Sequence, residues 1–310
     1  MILCVNANAA IDKTIVIPGF HLNAIQRPER VLALAGGKGV NCARGLKHLG
    51  ETPVVTGWAG GFSGQFIEAG LRAEGIATAF VPVAHESRTC LSILDPVDGT
   101  LTEIYEHGDP VPAEKVDEFR AMFRASVGQY AAVTFSGSLP PGVPASFYGE
   151  LLEIARAAGV PGLLDSSGEA LRQGLELGRP TLIKPNAKEF EVLAGRELAR
   201  IADIAAAVEE VSRRHQTIVV VSVGAEGALA SDGRELLHAR PPRLAIKSAV
   251  GSGDCTLAGI TYGLIRGFTL ADAVRHGVAA GTANALSVGA GSFAREDFER
   301  VLADVTVTAF

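Results

Sequence analysis

The sequence predicts an α/β fold: a doubly wound, mainly parallel β-sheet with helices on both faces. Short apolar segments alternate with longer segments that are apolar at helical spacing, as in successive β-α-β units. Several short segments are apolar almost throughout, such as TIVVVSV at 217–223, which indicates strands that are covered on both faces. Hydrophobic residues make up 47% of the 310 residues, enough to fill a large core.

The periodicity places the elements of this sheet in order along the chain. The predicted strands are 2–5, 54–56, 131–135, 162–164, 181–183 and 217–222. The predicted helices between them are 40–49, 65–74, 146–158 and 201–215. Beyond Ser248 the pattern is mostly helical, with helices expected at about 254–266, 270–286 and 295–304.

Two regions, 12–34 and 88–108, break the alternation of strands and helices. Both contain short alternating segments such as KTIVIPG and TLTEIYE with no helix between them. They predict a small β-sheet that projects as a lid, or alternatively a pair of hairpins on the edge of the fold. No repeat, low-complexity stretch or linker interrupts the chain, so we expect a single domain over residues 1–310.

The charge balance narrows the range of partners. The formal net charge is −6, without a dense basic region, which argues against nucleic acid or an anionic membrane surface as a partner. The N-terminal segment MILCVNANAAID lacks a basic n-region and reads as a core strand, and no apolar segment approaches the ~20 residues of a membrane span. The four cysteines are scattered, as reduced structural thiols are, and we expect a cytoplasmic protein.

The segment AVGSGDCTLAG at 249–259 contains the strongest local signal of a site. Gly251 and Gly253, with Ser252 between them, allow a sharp turn and close approach of a ligand. The apolar residues that follow predict a helix, whose free N–H groups would bind an anion. The alternative is an ordinary helix start in which Asp254 is the N-cap.

A second glycine-rich segment, AGGKGVN at 35–41, also precedes a predicted helix. Exposed backbone amides at Gly36 and Gly37, with the carboxamide of Asn41, suit the hydroxyl groups of a sugar. Lys38 suits a phosphate or a neighbouring acid. An ordinary glycine-rich helix start remains the alternative here.

Polar motifs follow four further predicted strands. They are SGS at 136–138, DSSG at 165–168, KPNAKEFE at 184–191 and SVGAEG at 222–227. Because open α/β sheets bind ligands beyond the carboxyl ends of their strands, we expect these motifs to share one crevice. The dinucleotide-binding GxGxxG, the P-loop GxxxxGK[ST], the GxSxG elbow and HExxH are all absent from the sequence.

Together these motifs resemble the ribokinase-like, or PfkB, carbohydrate kinases. GGKGVN, SRT, SGSLPPG, DSSG, KPNAKE, SVGAEG, VGSGD and AAGTAN occur in the order of the family and span essentially the whole chain. ESRTC, TEIYE and DSSGEAL are most similar to the branch that acts on phosphorylated ketohexoses. The resemblance implies a ribokinase-like fold and an ATP- and Mg²⁺-dependent kinase that converts a ketohexose phosphate into a bisphosphate.

The resemblance also implies roles for individual residues. Asp254 would be the catalytic base, and Gly251, Ser252 and Gly253 would form the anion hole for the transferred phosphoryl group. The sugar hydroxyls would be bound by Asp12, Gly36, Gly37 and Asn41, and the phosphate of the substrate by Arg27, Lys38, Arg88 and Ser138. ATP would be bound by Lys184, Asn186, Ser222, Gly224, Gly227 and Asn284, and Mg²⁺ by Glu189 and Asp165.

Other functions and assemblies stay open at the level of sequence. The alternatives are a 6-phosphofructokinase of the same family, a kinase for an unphosphorylated sugar or nucleoside, and a sugar-phosphate sensor without catalysis. Arg88 and Arg27 favour a phosphorylated substrate, although Arg88 could also face solvent from a strand. Apolar residues such as Val16 and Ile93 in the lid strands need cover, so we expect a homodimer that pairs two lids.

Overall fold

The computed structural model describes residues 1–287 and 289–310, and within these ranges it forms two β-sheets flanked by helices. The strands are β1 (Ile2–Asn8), β2 (Ala10–Val16), β3 (Arg30–Gly36), β4 (Pro53–Gly60), β5 (Ala77–Thr78), β6 (Val81–Val83), β7 (Arg88–Asp95), β8 (Thr100–Tyr105), β9 (Ala132–Ser136), β10 (Gly162–Asp165), β11 (Leu182–Ile183), β12 (Ile218–Ser222), β13 (Ala228–Ser231), β14 (Leu236–Arg240) and β15 (Thr306–Ala309). The helices are α1 (Lys38–His48), α2 (Gly61–Ala73), α3 (Ala113–Ser126), α4 (Phe147–Ala157), α5 (Gly168–Gly178), α6 (Ala187–Ala194), α7 (Ile201–His215), α8 (Ser252–Ile265), α9 (Leu270–Ala285) and α10 (Arg295–Asp304).

The large sheet has the strand order β15-β14-β13-β12-β11-β10-β9-β1-β4-β5, and β6 also pairs with β4. Pairing is parallel from β12 through β1 to β5 and antiparallel from β12 to β15. The parallel strands all end at one edge, so the segments that follow β1, β9, β10, β11 and β12 meet there. That edge carries the candidate site.

Helices cover both faces of this sheet, which confirms the predicted fold class. Along β1, Ile2 and Cys4 pack into the core beneath α1, α2, α8, α9 and α10, whereas Leu3 and Val5 pack into the core beneath α3 to α7. Successive strand residues point to opposite faces, so an apolar strand such as β1 serves two cores at once. This is why its sequence is almost continuously hydrophobic.

The sequence located most of the parallel core but missed the antiparallel extension. The predicted helices 201–215 and 295–304 match α7 and α10 in both bounds. Strands β13, β14 and β15 were not predicted, nor were helices α3, α5 and α6. The segment after residue 248 is therefore helical as expected, except that it closes with an edge strand that pairs with β14.

A second, four-stranded sheet has the order β3-β2-β7-β8. Its strands lie within or beside residues 12–34 and 88–108, the two regions that interrupt the predicted alternation of strands and helices. All six residues of β8 are exposed, and Leu101 and Ile104 present apolar side chains to solvent. Since β2 follows β1 directly and β3 leads into α1, this sheet is anchored beside the edge where the parallel strands end.

No helix within the described ranges is long and apolar enough to cross a membrane. All four cysteines are free and buried.

Candidate active site

Helix α8 begins at the glycine-rich segment singled out in the sequence. Gly251 is its N-cap residue and has a φ of 79°, in the left-handed region that favours glycine. A Cβ at this position would also lie 2.7 Å from the backbone nitrogen of Gly291. Asp254 lies in the first turn of the helix and is not the N-cap, so the ordinary capped-helix alternative is wrong.

Asp254 is buried and is held by a side chain from the other glycine-rich segment. The amide nitrogen of Asn41 donates a hydrogen bond of 2.9 Å to Asp254 Oδ2. Burial and the negative charge of Asp165 raise the pKa of Asp254 to about 7, against the opposing effects of Lys38, Asn41 and Lys184. A carboxylate with this pKa can accept a proton near neutral pH.

The turn before α1 is shaped by two polar side chains of the first two strands. A Cβ on Gly36 would overlap the carboxylate of Asp12, and one on Gly37 would overlap the carboxamide of Asn6. Asn6 donates to the Gly36 carbonyl at 3.1 Å and accepts from the Gly39 N–H at 3.1 Å. The Gly37 N–H donates to Asp12 at 3.4 Å, and burial raises the pKa of Asp12.

A buried ion-pair network lies beyond β10 and β11. Asp165 is 1% exposed, and its two oxygens lie 3.4 Å from Lys38 Nζ and 2.9 Å from Lys184 Nζ. Lys38 Nζ is also 3.7 Å from Glu189. Burial acts to raise the pKa of Asp165, but Lys184 and Lys38 together outweigh it and hold that pKa below its usual value. The charge of Asp165 in turn raises the pKa of Lys38.

This network bears on the two residues expected to bind Mg²⁺. Both oxygens of Asp165 face ammonium groups, which does not fit the expected role of Asp165 as a metal ligand. Glu189 is partly exposed and forms a capping box with Asn186 at the start of α6. Within the described ranges no group of three or more His, Cys, Asp or Glu side chains could hold a metal, although Mg²⁺ often takes only one or two carboxylates besides phosphates.

A cavity of about 650 Å³ opens beside the start of α8. Ser222, Gly224 and Gly227 line one side of it, and Ser252 and Gly253 line another. Its remaining walls are largely apolar and include Pro241, Leu244, Ile246, Val278 and Ala285. A Cβ on Gly253 would come within 3.4 Å of Lys184 Nζ, so this ammonium group reaches the glycine turn. The size and lining suit a nucleotide whose phosphates point to the turn.

Asn284 does not line this cavity, in contrast to the role expected from the sequence. Its side chain is fully buried and donates to the Val250 carbonyl at 2.8 Å. Its oxygen accepts from the N–H groups of Gly291 and Ser292 at 2.9 and 3.1 Å. Asn284 therefore braces the turn that precedes α8 from behind.

Arg88 and Ser138 meet at the opposite end of the site, next to Asn8. The Asn8 amide donates to Ser138 Oγ at 3.3 Å, while the Arg88 guanidinium donates to the backbone carbonyls of Asn8 and Glu106 at 3.3 and 2.9 Å. Arg88 is therefore half-buried against this end of the site and does not simply face solvent. Arg27 lies exposed in the loop between β2 and β3, away from these hydrogen bonds.

Sequence reasoning missed three residues that shape the site: Asn6, Asn8 and Arg44. Asn6 and Asn8 interrupt an otherwise apolar strand near its carboxyl end, and that interruption was a usable signal. Arg44 lies among apolar residues on the buried face of α1, where an arginine is rare unless it is paired. Its partners come from distant segments, so the sequence alone gave no means of naming them.

Comparison with known proteins identifies the family to which this fold belongs. The family model described as "pfkB family carbohydrate kinase" matches residues 5–297. The chain belongs to this family. It is 31% identical over 309 residues to the tagatose-6-phosphate kinase of Staphylococcus epidermidis, and the alignment covers 99% of both chains.

Two solved structures agree with that assignment. Phosphofructokinase-2 from Escherichia coli, solved in complex with substrates and products, has a TM-score of 0.90 at 29% identity, with 98% of each chain covered. A protein named as a possible 1-phosphofructokinase from Thermotoga maritima has a TM-score of 0.90 at 27% identity, covering 100% of this chain and 99% of that one. The predicted membership of the ribokinase-like family is confirmed.

Proposed function

We propose that the protein transfers the γ-phosphoryl group of ATP to a ketohexose phosphate and so forms a ketohexose bisphosphate. The observation that carries this proposal is the position of Asp254. It lies in the first turn of α8, between the nucleotide-sized cavity and the Asn41 carboxamide of the second glycine segment. The relatives named as kinases of tagatose 6-phosphate and of fructose phosphates support the same class of substrate.

In this reaction a hydroxyl oxygen of the sugar forms a bond to the γ-phosphorus as the bond to the bridging oxygen breaks and ADP leaves. Asp254 accepts the hydroxyl proton, for which its pKa of about 7 is suited. The free N–H groups at the start of α8 face the charge that develops on the transferred group. Asp12, Gly36, Gly37 and Asn41 hold the sugar hydroxyls.

The phosphate already present on the substrate needs its own cations. Arg88 and Ser138 lie together beside Asn8, and Lys38 points into the site from the start of α1. A guanidinium can grip a phosphate through two parallel hydrogen bonds. Arg27, on the exposed loop of the small sheet, joins this set when that sheet covers the substrate as a lid.

The cavity beside α8 suits ATP, with Lys184 next to its phosphates at the glycine turn. Glu189 is the carboxylate available to Mg²⁺, and Asn186 positions it through the capping box. When bound, Mg²⁺ neutralises charge on the phosphates. Asp165 serves this end of the site by holding Lys38 and Lys184 in place.

The small sheet further supports a homodimer. Leu101, Ile104 and Tyr105 of β8 expose apolar surface that a second lid would cover. One solved form of the E. coli phosphofructokinase-2 is described as tetrameric, so that relative self-associates. Sedimentation velocity would test the proposal, since a purely monomeric species at micromolar concentration would contradict it.

The decisive experiment compares kcat/KM, with ATP and Mg²⁺, for tagatose 6-phosphate, fructose 1-phosphate, fructose 6-phosphate and unphosphorylated fructose. We expect kcat/KM for at least one phosphorylated ketohexose to exceed that for fructose by about 10³-fold. With fructose, Arg88 and its neighbours would have no phosphate to bind. Comparable rates with fructose would favour a kinase for unphosphorylated sugars. Binding of a sugar phosphate without any turnover would favour a sensor.

The same assay ranks the related activities. The segment GGFSGQFI is most similar to tagatose-6-phosphate kinases, whereas the ending VTVTAF is closer to 1-phosphofructokinases. A preference for fructose 6-phosphate would instead identify a 6-phosphofructokinase. Arg88→Ala should raise KM for the preferred sugar phosphate while KM for ATP changes little, and an unchanged KM for the sugar phosphate would contradict the clamp.

A further inference from the structure

Arg44 is a buried arginine that contacts Asn41, one of the site residues. Its side chain is 8% exposed, and it lies one helical turn after Asn41 on α1. Its Nη1 donates to Asn41 Oδ1 at 3.4 Å. Asn41 in turn donates to Asp254. The Asn41 carboxamide therefore links Arg44 to Asp254 through two successive hydrogen bonds.

The other donors of Arg44 are held firmly. Glu74, at the end of α2, accepts from Nε at 2.6 Å and from Nη2 at 2.7 Å, a paired geometry that fixes the plane of the guanidinium. Nη2 also donates to the carbonyl of Ala35 at 2.8 Å, immediately before the Gly36–Gly37 turn. The guanidinium thus joins the ends of α2 and β3 to α1.

This fixed guanidinium determines which way the Asn41 amide points. An arginine has no acceptor, so only the carbonyl oxygen of Asn41 can face it favourably. The amino group of Asn41 must then face Asp254 and donate to it. If the amide were turned over, its amino group would meet the guanidinium and its oxygen would meet the carboxylate, and both contacts would be repulsive.

We propose that Arg44, held by Glu74, is a positioning residue that locks the Asn41 carboxamide with its amino group on Asp254. The inference rests on the proposed function for its catalytic consequence, because a fixed hydrogen bond orients the carboxylate that accepts the sugar proton. Without Arg44 the amide is free to turn over, and Asp254 loses its fixed orientation.

A double-mutant cycle tests this route. Arg44→Lys keeps a positive charge beside Glu74 but loses the paired geometry and the contact with Asn41. We expect it to lower kcat by about tenfold with KM for ATP unchanged, and to have no further effect in an Asn41→Ala background. An equal loss of kcat in both backgrounds would show that Arg44 does not act through Asn41.

A matched control separates positioning from general loss of an ion pair. Arg120 of α3 also makes a partly buried ion pair, in which its Nε and Nη2 lie 2.9 and 2.8 Å from Oε2 of Glu150 on α4. Arg120→Lys should leave kcat within about twofold of the wild type. If Arg44→Lys does not fold, the double variant Arg44→Met with Glu74→Gln removes both buried charges together and replaces it in the cycle.

A second readout does not depend on turnover. In the nucleotide-free protein, the side-chain ¹⁵N–¹H signals of Asn41, identified by their loss in Asn41→Ala, should be sharp and slowly exchanging. Arg44→Lys should broaden these signals or speed their exchange. Unchanged signals would contradict the proposal that Arg44 fixes the Asn41 carboxamide. If Asp254→Asn retains full kcat while these signals respond to Arg44→Lys, the assignment of Asp254 as the base is wrong. The proposal that Arg44 fixes the Asn41 carboxamide then still stands.

Discussion

The candidate site contains two buried aspartates, Asp165 and Asp254, whose pKa values are shifted in opposite directions. Asp165, at the end of β10, lies between the ammonium groups of Lys38 and Lys184. Asp254, in the first turn of α8, has the neutral Asn41 amide as its hydrogen-bond partner. The pKa of Asp165 lies below its usual value, while that of Asp254 is raised to about 7.

The difference shows that burial alone does not decide what a carboxylate does. Burial acts to raise both pKa values, and the charges nearby decide the outcome. Two close cations keep Asp165 ionised, so it organises charge without exchanging protons. At Asp254 the negative charge of Asp165 adds to burial, and the result is a group that can take up and release a proton near pH 7.

The largest expected effect comes from removing the carboxylate that can exchange a proton. Asp254→Asn should lower kcat by roughly 10²–10⁴-fold, because the sugar hydroxyl loses its proton acceptor. Steady-state kinetics with the preferred sugar phosphate measures this, with the exposed Asp304→Asn as the control. Near wild-type turnover with normal substrate binding would contradict the role of Asp254.

The aspartate between the lysines should instead affect stability. Asp165→Asn leaves Lys184 buried without its partner, which should cost about 3–5 kcal/mol in the free energy of unfolding. Urea denaturation measures this cost. The double variant Asp165→Asn with Lys184→Met should recover part of it, and a single variant as stable as the wild type would contradict the assignment of a structural ion pair.

The pH dependence of activity follows from the raised pKa of Asp254. Because the base must be ionised, kcat/KM should fall about tenfold per pH unit below about pH 7 and level off above it. The apparent pKa of this decrease should be the same with every accepted sugar phosphate, since it reports a group of the protein and not of the substrate. An apparent pKa that moves with the pKa of the substrate's own phosphate would contradict this origin.

The smallest expected effect is the contribution of Asp254 to the pH dependence of the free energy of unfolding. A carboxyl whose pKa is higher in the folded than in the unfolded chain destabilises the fold progressively as pH rises through that window. Asp254→Asn cannot ionise, so its gain in stability over the wild type should be larger at pH 8 than at pH 5, by about 1 kcal/mol or more. Urea denaturation at both pH values checks the sign.

Much of the fold was legible in the sequence, because apolar strands such as β1 and β12 must be covered on both faces. The short antiparallel strands could not be predicted: β13 and β15 have four residues each, and both pair with β14. Asp254, Gly251 and Gly253 could be singled out because glycines before an apolar helix carry a local signal. The motif that contains Asn284 does not reveal that its side chain bonds to Val250, Ser252 and Gly291 around the turn before α8.

By itself the sequence determined the layered α/β fold, the two glycine turns and the family to which the chain belongs. Only the tertiary structure decided that Asp165 is shared by two lysines, that Asn41 bonds to Asp254, and that Arg44 stands behind Asn41. The reason is physical. Backbone conformation and amphipathic pattern are local properties, whereas the protonation and orientation of a buried polar group depend on charges brought close by distant parts of the chain.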